Sequence, residues 1–250
     1  MHSSTTQGHP QLIAVFDLDW TLLEEISAET LWVIYLIRHR IIPFKNILIS
    51  ILRLIVFLPF GIDRAVLKNR YYMKGMPVLF VKSLMDDFYS EMIQSRLSDD
   101  LIERMNQLKS QGYRILLLSA TLDFILEHLV RQLQADGGIS STLEIRDGIY
   151  TGHLIGVYPY YTGKIKCLEV LLDGAQIDFE KSFAFGDTWA DLPLLSRFGQ
   201  PVAVHPDVCL KIAARKRQWE IVTRKVKRKI WPVRCWLNLV YRPVFDIHSN

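Results

Sequence analysis

The chain has 250 residues, half of them hydrophobic and 22% charged; that is enough for one large α/β domain with an insert and rules out a disulfide-stapled miniprotein. Its formal charge of +4 hides a split, because residues 211–250 carry a surplus of nine positive charges and the first 210 residues a deficit of five. A mildly acidic body with a basic tail points to an anionic surface as a partner.

Residues 1–11 are polar and lack the charged start and apolar stretch of a secretory signal, so they read as a disordered leader. Cys167, Cys209 and Cys235 show no paired spacing, which fits a reducing cytoplasm better than a disulfide framework or a zinc site. Residues 12–16 form a short apolar run ending in Asp17-Leu18-Asp19, the pattern of a buried strand. From 24 to 96 no strand pattern occurs, and four helices are expected near 27–38, 44–58, 63–73 and 78–94. The stretch 41–60 approaches the length of a bilayer span, but Pro43, Lys45, Arg53 and Pro59 interrupt it and argue against a simple transmembrane helix. Projected on a helix, Lys45, Asn46, Ser50 and Arg53 share one narrow face and the remainder is aliphatic or aromatic. That width suits either a helical bundle with its own core or a surface resting on a bilayer interface with Lys and Arg at headgroup level.

Strands and helices then alternate. Helix 101–111 stops at Gly112, strand 114–118 ends at Ser119, helix 122–133 follows, and two alternating runs around Asp147-Gly148 within 143–155 predict a hairpin flap at an edge. Helix 163–172 opens with Lys164, strand 182–185 leads into Gly186-Asp187, strand 201–204 into His205-Pro206, helix 207–217 follows, and 220–223 is the last strand. Such alternation implies right-handed crossovers and a parallel sheet covered on both faces. Polar chemistry gathers at the carboxyl ends of such strands, which here read Asp17, Ser119 and Asp187. The tail, 223–250, interleaves Trp231 and Trp236 with basic residues, a pattern suited to anionic headgroups, and carries no defined nucleic-acid motif.

Two carboxylates two residues apart at a strand end are weak evidence alone, since turns and caps contain such pairs. A second pair, Asp187 and Asp191, sits at another strand end, with Ser119 at a third and Lys164 opening a helix. This set, over about residues 12–223, resembles the haloacid dehalogenase superfamily, in the subclass with a helical cap after the first motif typified by phosphoserine phosphatase. The motif DxDxT is Asp17, Asp19 and Thr21; the hydroxyl after an apolar strand is Ser119; the basic motif is Lys164; and GDxxxD supplies Asp187 and Asp191. The resemblance implies a Rossmann-like α/β core at 12–23 and 97–222 with an inserted all-α cap at 24–96.

Phosphoryl transfer needs a nucleophile, a proton donor for the leaving oxygen, and cations around a group that stays negative. By resemblance, Asp17 attacks phosphorus to form an aspartyl phosphate and Asp19 protonates the leaving alkoxide and later activates water. Mg²⁺ is implied as cofactor, held by Asp17, the Asp19 carbonyl and Asp187, with Asp191 orienting or completing the shell. Ser119 and Thr21 offer hydrogen bonds to phosphoryl oxygens and Lys164 fixed positive charge, with Thr121 and Lys166 as their neighbouring rivals. Arg70 matches a cap arginine that grips a substrate carboxylate. The position that binds the substrate ammonium in phosphoserine phosphatases falls on Ile26, which speaks against phosphoserine, and Trp20 stands where the superfamily has a small residue. The expected activity is Mg²⁺-dependent hydrolysis of a phosphomonoester, either a small molecule in the cytoplasm or a lipid phosphate at the inner face of a membrane. A catalytically weak, membrane-docked interaction protein is the alternative.

Overall fold

The computed structural model describes residues 10–57 and 69–223. The leader to residue 9, most of the expected helix 63–73 and the basic tail from residue 224 lie outside the described residues.

A seven-stranded sheet forms the centre, in the order β4-β3-β2-β1-β5-β6-β7. Its strands are β1 (Ile13–Phe16), β2 (Arg114–Leu122), β3 (Gly137–Arg146), β4 (Ile149–Ile155), β5 (Phe183–Gly186), β6 (Gln200–Val204) and β7 (Glu220–Val222). All neighbours run parallel except β4, which returns antiparallel to β3. The first strand of the chain is therefore the middle strand of the sheet, with Ile13 paired to Arg114 on one side and Ala14 to Phe183 on the other. Its four side chains are fully buried and divide by parity, as a pleat requires. Ile13 and Val15 join Leu116, Leu118 and Ala203 beneath α7 (Thr162–Leu172), α8 (Leu192–Leu195) and α9 (Val208–Lys216). Ala14 and Phe16 face the other way, towards Ile115, Leu117, Phe185 and Val202, with Phe16 and Phe185 stacked at 4.1 Å.

On that second face lie α5 (Asp99–Ser110) and α6 (Asp123–Gln132), and beyond them the segment inserted between β1 and β2: α1 (Ala28–Arg38), α2 (Phe44–Phe57), α3 (Val78–Ser83) and α4 (Met85–Phe88). Among the described residues the inserted helices have no separate core. Trp32 packs edge-on against both Phe88 and Phe124, so one apolar cluster runs from the sheet through α6 into the insertion.

Three expectations change. The hairpin at 143–155 is real, but its first strand begins at Gly137 and pairs parallel with β2, which makes the flap an extension of the main sheet. Residues 137–141 carry no apolar run to announce a strand; Gly138 permits it, because a Cβ there would lie 2.8 Å from Val130 Cγ2 and 3.0 Å from Leu126 Cδ2 of α6. The expected helix 78–94 is broken into α3, α4, a π-helical turn at Tyr89–Ile93 and a 3-10 turn at Gln94–Arg96. The wider turn lets Met92 and Ile93, adjacent in sequence, both be buried. The described part of the expected helix 63–73 contains only a 3-10 turn, Tyr71–Met73.

Helix α2 turns its polar side inward except at Lys45, which is exposed. Asn46 is buried and its Nδ2 donates to the Lys74 carbonyl at 2.8 Å, the Ser50 carbonyl accepts from Asn69, and Arg53 lies over the Tyr71 ring. Phe44, Leu48, Ile51, Leu52, Ile55 and Val56 face outward, each 47–79% exposed. No helix among the described residues is long and apolar enough to cross a membrane.

Candidate active site

Sheet order brings the predicted residues together. Ser119 lies in β2, Asp17 directly follows β1 and Asp187 directly follows β5, so three neighbouring strands deliver them side by side at the carboxyl edge. The Asp17 amide donates to the Phe185 carbonyl at 3.0 Å, extending the β1–β5 pairing one residue into the site and fixing where the Asp17 side chain starts. Lys164, in the first turn of α7, reaches the same place from below: its Nζ stands 2.5 Å from Asp17 Oδ1 and 2.5 Å from Asp191 Oδ1. All of these groups are buried.

Both carboxylate oxygens of Asp191 are engaged. Oδ2 accepts from the amides of Asp187 and Thr188 and from the Thr188 hydroxyl, closing a capping box around the turn Trp189–Asp191, while Oδ1 meets Lys164. Gly186 makes room for it, since a Cβ there would sit 2.7 Å from both Cβ and Cγ of Asp191. A Gly186→Ala substitution is expected to displace Asp191, destabilise the fold by about 1–3 kcal/mol and lower activity, read by denaturant melts and turnover on one preparation.

Asp19 points away from this cluster. Its Oδ1 accepts from the Ala28 amide at the start of α1 (2.7 Å) and its Oδ2 from the Ser119 hydroxyl (3.3 Å). Burial pushes its carboxyl up to about 6, and the Ala28 hydrogen bond limits the rise. Burial likewise pushes Asp17 up to about 7 against the pull of Lys164. Burial alone would deprotonate Lys164, but Asp17 and Asp191 outweigh it and hold the ammonium above its ordinary value. Thr21 Oγ1 lies 3.5 Å from Asp17 Oδ2, at the limit of a hydrogen bond. Between Asp19 and Thr21 the chain turns through a left-handed Trp20, φ 66°, a conformation that glycine adopts without cost. The indole is half-buried and faces the cavity beyond Asp19.

Asp17, Asp187 and Asp191 offer carboxylate oxygens that all lie within 4.8 Å of one another. Such a set of hard oxygen donors suits Mg²⁺ rather than a soft metal. The Asp19 carboxylate is not part of this set.

Arg70 is not beside Asp17. It lines the cavity that opens at Asp19 and forms an ion pair with Glu29 at 2.5 Å, while the Tyr72 hydroxyl donates to the same Glu29 oxygen at 2.8 Å. Burial raises the Glu29 carboxyl, with Arg70 and Tyr72 opposing. Glu29 escaped the sequence reading although its signal was there: it stands one helical turn beyond Ile26, in the first turn after the N-cap Ser27. Asp207 was also missed as a support; besides capping α9 it accepts from the Trp189 amide at 3.0 Å, tying β6 to the site. Trp189 packs against Tyr161 with ring centres 5.0 Å apart.

The family model of the haloacid dehalogenase-like hydrolases matches residues 14–196. Phosphoserine phosphatase SerB1 of Mycobacterium tuberculosis is 30% identical over 158 residues, 63% of this chain and 51% of that protein, so the chain spans about half the length of this relative. Histidinol-phosphatase of Neisseria meningitidis is 28% identical over 228 residues, 85% of this chain and 99% of that protein. Among solved structures, a protein of unknown function from Bordetella pertussis Tohama I superposes with a TM-score of 0.74 at 22% identity, over 86% of this chain and 99% of that one, a likeness of fold. With the motif residues gathered on the edge of this sheet and the family match running from β1 to the end of α8, the chain belongs to the haloacid dehalogenase-like hydrolases.

Proposed function

We propose that the chain is a Mg²⁺-dependent phosphomonoester hydrolase working through an aspartyl phosphate on Asp17. The observation that carries this reading is the Asp17–Lys164–Asp191 chain of contacts, with Asp19 held apart on the other side of the strand end by Ala28 and Ser119. Two carboxylates two residues apart thereby acquire different surroundings and can take different roles. The Asp17 carboxylate, oriented by Lys164, forms the bond to phosphorus as the ester oxygen leaves, and Asp19 in its acid form delivers a proton to that oxygen. Asp19 then takes a proton from the water that cleaves the acyl phosphate and frees Asp17 and inorganic phosphate. Asp17, Asp187 and the Asp19 carbonyl would hold Mg²⁺, which when bound supplies positive charge against the phosphoryl oxygens. Asp191 acts on Lys164 and on the backbone of the 187–191 turn; Ser119 acts on Asp19.

Names of the relatives favour a phosphorylated small molecule as substrate class. The insertion at 24–96 is the cap of this reading, its described helices α1 and α2 lining the cavity that opens at Asp19. A cytoplasmic location accords with the unpaired cysteine spacing. The test is turnover of a generic aryl phosphate. Activity is expected with Mg²⁺, is expected to fall to background on chelation with EDTA, and should return when Mg²⁺ is restored; turnover indifferent to chelation would remove the metal from the proposal.

A further inference from the structure

We infer that the alcohol portion of the substrate is an apolar chain, so that the molecule hydrolysed is an amphiphilic phosphomonoester. The inference rests on the hydrolase reading above and names the substrate class of that site. In that reading the leaving oxygen departs on the Asp19 side. Asp19 opens onto a cavity of about 650 Å³, within the size range of small-molecule sites. Whatever is esterified to the phosphate must occupy it.

Its surface is mostly apolar, built from five branched aliphatic side chains and the rings of Trp20, Tyr72, Tyr158 and Tyr160. Val33 and Ile37 of α1, Ile42 of the connecting turn, and Ile47 and Ile51 of α2 face one another across it. An ammonium or carboxylate on the leaving alcohol would lose its water among these side chains. Uncharged Ser27, Thr30, Ser50, Asn69 and Thr121 interrupt this surface, and the one cation among the described residues lining it, Arg70, is already engaged by Glu29, so the pair presents a balanced dipole where a lone guanidinium would select an anion. The aliphatic surface also continues outward. Ile51 both lines the cavity and is 49% exposed, and on the same helix Leu48, Leu52 and Ile55 carry the apolar surface onto the outer face. A chain longer than the cavity has apolar surface to follow as it leaves.

Linear alkylphosphonates, which bind as phosphomonoester analogues and cannot be hydrolysed, test this directly. Titrated by calorimetry with Mg²⁺ present, from about two to about ten carbons and below micelle formation, they should show Kd falling about fourfold per added methylene until the cavity is filled. Inorganic phosphate should displace them. Val33→Asp should reduce the gain to less than about twofold per methylene; Ile47→Ser serves where that variant fails to fold. A Kd independent of chain length overturns the inference, and so does chain-dependent binding that phosphate cannot displace, which would place the chain on the outside of α2. Turnover of the matching alkyl phosphates separates the two layers of the argument. Flat phosphonate affinity with normal turnover sinks the apolar chain and keeps the hydrolase; steep, phosphate-sensitive affinity with no ester hydrolysed sinks the hydrolase and keeps the chain.

Discussion

Asp17→Asn is expected to lower turnover of an aryl phosphate by at least about a thousandfold with Mg²⁺ present, without lowering the melting temperature. The amide keeps the shape of the carboxylate but is not a nucleophile that can yield an acyl phosphate. Stability should hold or rise, because the native carboxylate is charged at a buried position, where burial pushes its carboxyl up to about 7. Lys164 keeps its contact with Asp191 in the variant, so the buried ammonium is not stranded. The two readouts together discriminate between roles. A loss of activity with a matching loss of stability would indicate a structural aspartate, and a variant retaining more than about a tenth of wild-type turnover would show that another group attacks phosphorus.

Lys164→Ala should have the larger effect on the fold. The ammonium lies between two carboxylates, and all three side chains are 8% exposed or less. Removing it leaves Asp17 and Asp191 facing each other without compensation, at a cost of about 3–5 kcal/mol, or about 10 °C in Tm for a chain of this size. Turnover should fall with it. Because the damage is a deficit of positive charge, added Mg²⁺ should raise the Tm of this variant more than that of the wild type, as scanning calorimetry with and without the ion would show. Arginine is not expected to rescue it, since the planar guanidinium is larger than the gap in which two 2.5 Å contacts converge on one nitrogen.

What the sequence made legible was governed by short-range patterns. Asp17, Ser119 and Asp187 each end an apolar run, and a parallel sheet necessarily aligns such ends, so their convergence followed from the alternation of elements. Lys164 and Asp191 came with the motifs. Glu29 did not, because its meaning depends on Arg70 and Tyr72, which lie more than forty residues away and meet it only through the packing of α1 over the turn Tyr71–Met73. The orientation of α2 was equally hidden. Its periodicity separates polar from apolar faces, but periodicity carries no sign; here Asn46 and Arg53 are claimed by Lys74 and Tyr71, and the apolar side is left outward. The strand at 137–141 was missed because its register is imposed by β2 rather than by its own side chains.

The central place of β1 bears on how the chain reaches this state. Both neighbours of β1 are made much later than β1 itself: β2 begins at Arg114 and β5 at Phe183. During synthesis Ile13–Phe16 has neither partner while the insertion emerges, and one edge stays open after β2 until β5 is made; loop closure over such distances is slow. Early intermediates therefore expose a strand whose four side chains are all fully buried in the folded chain, which makes β1 a segment for chaperones to guard and for aggregation to exploit. Asp17 and Asp187 meet only when β5 docks, so the site and the sheet's last central pairing are completed in one event.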